Sequence, residues 1–350
     1  MPQLFGKAFT RQELLRVASN MAQICGVTES VYQNGKSGGM KHYTVKTGSG
    51  LEFELLPDRC LDIASVTFNG VNISFLTKNG IVSPTYANAA ANAFSHYMTG
   101  GMLMTCGLLN AGDACMDTDG AFHPAHGTIG ITPAESPYSK EYWDNDDYIF
   151  EAGGKMRESG LFGENLTLSR NISAKLGENS ISIHDTVENN GPEAVEFMLL
   201  YHFNFGYPFL NEKLKVQFPD GTVTARDSQA KHGILDCERM ICPQDGFCEQ
   251  VFFRDAKSKN GIVTAILENN EIGIGVRLSY QNDNLPILVQ WKSMRSGDYA
   301  LGIEPSNNYI MGRKAERKNG TIKQLKGFGK EQYTLKLEFY TLSSENKFKI

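Results

Sequence analysis

The chain has 350 residues, 41% hydrophobic and 21% charged, with 35 glycines, which is enough apolar material for a large core and favours turns over long helices. Its formal charge is -5 with Lys and Arg scattered along it, so no basic field draws in a phosphate backbone and nucleic acid is not an expected partner. The most apolar stretch, Val195 to Leu210, is broken by His202, Asn204, Gly206 and Pro208 and falls short of the roughly 20 uninterrupted apolar residues that span a bilayer; with no signal-peptide pattern at the N-terminus, the expectation is a cytoplasmic protein with no membrane partner.

In chain order, Thr10 with Glu13 three residues on forms a capping box, and Leu14, Leu15, Ala18, Met21 and Ala22 recur at helical spacing, so residues 1–26 are read as a short helical segment packed on a sheet. After Gly26 the texture changes to short alternating or β-branched runs: His42–Lys46, Leu51–Leu56, Ile63–Phe68 and Val71–Leu76, with Asn69-Gly70 as a hairpin signal. Between Thr77 and Tyr142 lies a looser segment that includes Ala87–Ala93, Gly100-Gly101-Met102 and His123–Pro133, and a long loop in a compact domain is usually functional. Strand-like runs resume at Leu166–Ile172, Ser180–Val187, Ala194–Phe203, Lys213–Phe218, Gly261–Leu267, Gly273–Ser279, Pro286–Trp291 and Gln332–Leu342. Turn chemistry at Asn189-Asn190-Gly191, Asp220-Gly221 and Asn319-Gly320 separates several of them, and Lys314–Lys330 reads as a solvated hairpin. No linker or composition break divides the chain, so one antiparallel all-β sandwich over 1–350 is expected.

The seven cysteines, Cys25, Cys60, Cys106, Cys115, Cys237, Cys242 and Cys248, include no pair at the two-residue spacing of zinc or redox motifs. They read mostly as reduced, buried small hydrophobes, and neither metal nor cofactor is expected. Chemistry concentrates in three segments: Phe122 to Gly130, Tyr201 to Pro208, and Tyr299 to Arg313. Glu304 stands where the apolar run through Leu301 and Ile303 meets Pro305, so it needs a partner or a ligand. His202 follows the apolar run Phe197 to Tyr201; alone it reads as a satisfied core histidine, but an imidazole with a carboxylate also makes a general acid and base pair.

Several segments resemble the aldose 1-epimerase (galactose mutarotase-like) superfamily, and within it the DUF4432 proteins. They are Pro57 to Ile63, Gly100 to Leu108, His126-Gly127, Tyr201-His202 with Gly206 to Pro208, Gln290-Trp291-Lys292, and Glu304-Pro305 with Gly312-Arg313. Their order and spacing carry the resemblance, which covers nearly the whole chain from about Leu51 onward.

That resemblance implies a galactose mutarotase-like β-supersandwich with a sugar-binding cleft. It also implies a mechanism in which Glu304 removes the anomeric hydroxyl proton while His202 protonates the ring oxygen, and His126 orients the sugar or polarises that oxygen. Glu304 and His202 are expected across one cleft, roughly a sugar ring apart. Arg59, Asp62, Gln290, Lys292 and Arg313 are the candidate sugar-binding residues, although Arg59 and Asp62 read equally well as a structural pair. Trp291 offers a stacking face or core packing, and His123 is a loop contact. The known mutarotases carry an aspartate where Gln290-Trp291-Lys292 stands here, and the DUF4432 proteins have a glycine at the place of Cys60, so the sugar itself is not specified. The expected partner is a small-molecule sugar, and a homodimer is left open. Two alternatives stand beside the mutarotase reading: a non-catalytic carbohydrate-binding or regulatory protein, and an isomerase acting on a sugar or sugar acid.

Overall fold

The computed structural model describes residues 1–91, 93–118 and 120–342; Asn92 and Asp119 of the loose segment and the last eight residues of the expected domain lie outside the described residues. An eight-stranded antiparallel sheet runs, in spatial order, Glu135–Asp144, Asp147–Ser159, Asn165–Lys175, Ser180–Asn189, Lys330–Thr341, Ile274–Gln281, Ile262–Asn269 and Leu214–Gln217. A second large sheet runs Gly221–Ala225, Gln250–Ala256, Ile287–Arg295, Asp298–Ser306, Val195–Phe205 and Lys323–Leu325, with Leu103–Leu108 also pairing with Val195–Phe205. A five-stranded sheet is built from Gly26–Val31, Lys41–Lys46, Leu51–Leu56, Asp62–Phe68 and Val71–Asn72. No helix among the described residues is long and apolar enough to cross a membrane.

Strand periodicity decides where the core sits. Along Val195–Phe205 the odd positions Phe197, Leu199, Tyr201, Phe203 and Phe205 join the main core, which also takes Leu166, Leu168 and Ile172 from the eight-stranded sheet. Met198 and Leu200 point the other way, into a smaller apolar cluster with Met104, Cys106, Val251, Phe253 and Val289. The central strands of this sheet are therefore buried on both faces, while Gly221–Ala225 at its edge is largely exposed, and the outer face carries the cleft.

Four expectations are revised. The N-terminal helix is real, with its capping box closed by Thr10 and Glu13, but it covers only Arg11–Val17; Asn20 caps a separate turn at Met21–Gln23, and Leu15 is left exposed. Lys314–Lys330 is not a hairpin. Arg313–Asn319 is a helix stopped by Gly320 in the left-handed conformation, and Lys323–Leu325 then pairs with Val195–Phe197. Within the loose segment, Leu103–Leu108 is a strand buried at every position, so no alternation marked it. Glu135–Asp144 is a mostly exposed edge strand whose polar sequence hid it.

Candidate active site

His202 and Glu304 meet because of strand register. Leu200 pairs with Ser306 and Phe203 with Ile303 across adjacent antiparallel strands, which sets His202 directly opposite Glu304, where side chains touch. Met104 flanks His202 on one side and Val289 flanks Glu304 on the other. The two groups are thus in contact rather than a sugar ring apart: His202 Nε2 stands 3.2 Å from Glu304 Oε1. The contact is out of line for a hydrogen bond, since Oε1 has no hydrogen-bond partner, and neither do Nδ1 of His202 and Nδ1 of His126. Three buried polar atoms without partners in one cleft is a concentration that native cores avoid.

His126 arrives from the Phe122–Ile131 region. Its backbone is left-handed, φ 59°, a conformation a non-glycine residue holds only under constraint. Its ring lies 5.9 Å from that of His202 and 4.9 Å from Phe94, centroid to centroid. Trp291 packs edge-on against His202 at 5.5 Å. Phe94, Met98, Val251 and Ile310 complete the apolar lining, and Arg226 and Glu249 stand at the mouth of a cleft of about 90 Å³.

Burial dominates the electrostatics. It pushes the Glu304 carboxyl well above the usual carboxylate range, with Glu249 adding and Arg226 opposing. It pushes His202 down to about 3, with His126 adding, and His126 down to about 4, with Arg226 adding. The favoured form of the pair is a carboxylic acid beside a neutral imidazole. A carboxylate beside an imidazolium holds the same number of protons and differs by one proton transfer across the contact.

The remaining candidates are held elsewhere. Arg59 is buried and donates to the carbonyls of Val82 at 2.6 Å and Tyr97 at 3.3 Å. Asp62 pairs not with Arg59 but with Arg170 at 2.8 Å, and it accepts from the Thr105 amide and hydroxyl. Gln290 and Lys292 lie on the opposite face of their strand from Trp291. Gln290 donates to the Cys237 carbonyl at 2.6 Å and Lys292 to that of Asp236 at 2.8 Å. Arg313 binds Asp117, Glu196 and the Leu109 carbonyl. His123 pairs with Asp117 at 3.6 Å. Among the described residues no three His, Cys, Asp or Glu side chains cluster as a metal site.

Sequence reasoning missed Arg226 and Glu249, which pair at 3.4 Å while Glu249 accepts from the Trp291 indole at 2.8 Å. Val251 pairs with Trp291, and Glu249 lies two residues earlier on that face. The signal was parity, but it needs the pairing partner to be known.

The sequence model of the family described as "Domain of unknown function (DUF4432)" matches residues 37–339. No curated protein matches the chain. Solved structures do. A protein from Klebsiella pneumoniae subsp. pneumoniae, provisionally called an aldose 1-epimerase, is 24% identical with a TM-score of 0.87, covering 93% of this chain and 88% of its own. A galactose mutarotase-like protein from Clostridium acetobutylicum is 16% identical with a TM-score of 0.62, covering 91% and 100%. Galactose 1-epimerase from Lactobacillus acidophilus is 12% identical with a TM-score of 0.56, covering 91% and 100%. At these identities the likeness shows a shared fold, the galactose mutarotase-like β-sandwich. The chain belongs to the DUF4432 family.

Proposed function

We propose that this DUF4432 protein interconverts the anomers of a free sugar without a cofactor, with Glu304 as general base and His202 as general acid. The observation that carries the reading is the register-enforced contact of these two buried groups in a cleft that also receives His126. In the ion-pair form of the couple, the Glu304 carboxylate takes the proton of the anomeric hydroxyl. The bond between the anomeric carbon and the ring oxygen then breaks as a carbonyl forms, and the ring oxygen takes its proton from His202. Rotation of the open-chain aldehyde and the reverse steps close the ring on either face, returning both protons. His126, held uncharged by burial, accepts or donates a sugar hydrogen bond without adding charge.

Proton transfer by one positioned side chain is typically worth about 10² to 10⁴ in rate. Glu304→Gln and His202→Asn are each expected to slow anomer exchange of a responsive aldose by at least about a hundredfold, measured by saturation-transfer NMR. Unchanged rates in both variants would sink the proposal. Sugar binding with exchange no faster than buffer would move the protein to the carbohydrate-binding class instead.

A further inference from the structure

One buried acid has no place in the cleft itself. Glu158 lies near the end of Asp147–Ser159, on the same side of that strand as the core residue Met156, and is 7% exposed. It reaches out of the eight-stranded sheet to the other sheet's Leu103–Leu108. One oxygen accepts from the Leu108 amide at 2.7 Å, and the other takes a short hydrogen bond from the Thr128 hydroxyl. Burying a carboxyl is costly, and burial raises this one to about 7, with Glu164 adding to the rise.

What the bridge fixes is the segment that carries His126. The Thr128 amide donates to the Gly107 carbonyl at 3.1 Å, the Gly107 amide to the His126 carbonyl at 3.0 Å, and the His126 amide to Gly112 at 2.9 Å. His126 Nδ1 has no hydrogen-bond partner, so its ring is aimed by its left-handed backbone and its packing. Gly127 tightens this further, since a Cβ there would fall 2.2 Å from the Gly107 carbonyl oxygen. We infer that Glu158 is a positioning residue, clamping Thr128 to the end of Leu103–Leu108 so that His126 keeps its place over His202. The inference rests on the proposed role of His126 in holding the sugar.

Thr128→Val deletes the hydroxyl at nearly constant volume, Glu158→Ala deletes the bridge, and Glu158→Gln keeps an acceptor for Leu108. In the free protein, the His126 ring signals, assigned by their loss in His126→Gln, are expected to shift or broaden in Thr128→Val and Glu158→Ala. They should stay near their original positions in Glu158→Gln, and the signals of His184, an exposed residue of Ser180–Asn189 in the eight-stranded sheet, should stay put in all three. Thr128→Val is also expected to lower kcat/KM for anomer exchange by about tenfold, and by less than about twofold once His126 is already Gln, since small misplacements near reacting groups are felt strongly. Unmoved His126 signals in Thr128→Val, or an equal loss with and without His126, would overturn the inference. If the wild-type protein exchanges no anomers, the proposed function fails while the NMR arm still decides the clamp. If Glu158→Ala does not fold, Thr128→Val carries the test.

Discussion

Gly302 sets the space in which the Glu304 carboxylate lies. A Cβ at that position would stand 2.3 Å from Glu304 Oε1 and 3.0 Å from the Trp291 Cβ, so Gly302→Ala must displace the carboxylate or the indole. Anomer exchange is expected to fall at least about tenfold while thermal stability changes modestly, because the side chain that has to move is a short way from its cleft rather than from the core. Comparing exchange rates with melting temperatures tests this, and a fully active Gly302→Ala would mean that the carboxylate's position is not critical. The titrating groups oppose one another. His126 and His202, uncharged when folded down to about 4 and about 3, ionise near 6.5 when unfolded; the unfolded chain then binds more protons, and stability falls as pH drops below about 6.5. Glu158 runs the other way. Its carboxyl is raised from the usual 4.5 to about 7, so the folded chain holds the extra proton in that window and acidification stabilises it, at up to about 1.4 kcal/mol per pH unit. Glu158→Gln removes this counterweight. Its urea-unfolding free energy, taken relative to wild type, is expected to worsen steadily from pH 7 to pH 4.5, and a pH-independent difference would contradict the raised carboxyl.

At the scale of elements, the Asn319-Gly320 pair shows how one dipeptide serves two ends. In a sequence it signals a two-residue hairpin turn, but here Gly320, at φ 71°, receives the end of Arg313–Asn319 and donates its amide to the carbonyls of Arg317 and Glu316. Gly320→Ala forces a side chain into a left-handed cap and is expected to cost about 1 kcal/mol without altering anomer exchange; equal denaturation midpoints would show that the cap is not under strain. Asn69-Gly70 is the hairpin it looked like, with both residues at positive φ between Asp62–Phe68 and Val71–Asn72. The all-β fold was legible because turn chemistry and β-branched runs mark most strands. His202 and Glu304 were legible as polar residues at the ends of apolar runs, with family resemblance assigning their roles. Gln290 and Lys292 were not separable from Trp291, because Ile287–Arg295 is buried on both faces and no polar alternation says which parity faces the cleft. Arg59 and Asp62 were drawn toward a sugar by their charge, whereas the structure spends that charge on backbone carbonyls and on Arg170.

Across the whole molecule, Arg170 joins the three large sheets. Its side chain is fully buried, gripping Asp185 with Nε and Nη2 from within the eight-stranded sheet. Its Nη1 reaches Asp62 of the five-stranded sheet at 2.8 Å and the Cys60 carbonyl at 3.0 Å. The seven-stranded sheet closes the network twice. The Tyr201 hydroxyl donates to Asp185 at 2.9 Å, and Thr105, which pairs with Tyr201, donates its amide and hydroxyl to Asp62. Cys60 and Leu61 both adopt positive φ beside it, so the Cys60 carbonyl is presented to Arg170 at the cost of a conformation that suits glycine. Two carboxylates around one guanidinium are tolerable in a dry core only while every partner is present. Arg170→Met strands both acids and is expected to destabilise the protein by about 3 to 5 kcal/mol, whereas Tyr201→Phe removes a single hydrogen bond and is expected to cost about 1 kcal/mol. Tyr201 faces the core while His202 faces the cleft from the same strand, so Tyr201→Phe should leave anomer exchange within about twofold, well short of the loss expected when a proton-transfer group is removed. Urea unfolding of the two variants beside exchange rates for Tyr201→Phe separates the outcomes. If Arg170→Met is no less stable than Tyr201→Phe, apolar packing between the sheets, rather than this buried charge network, holds them in register.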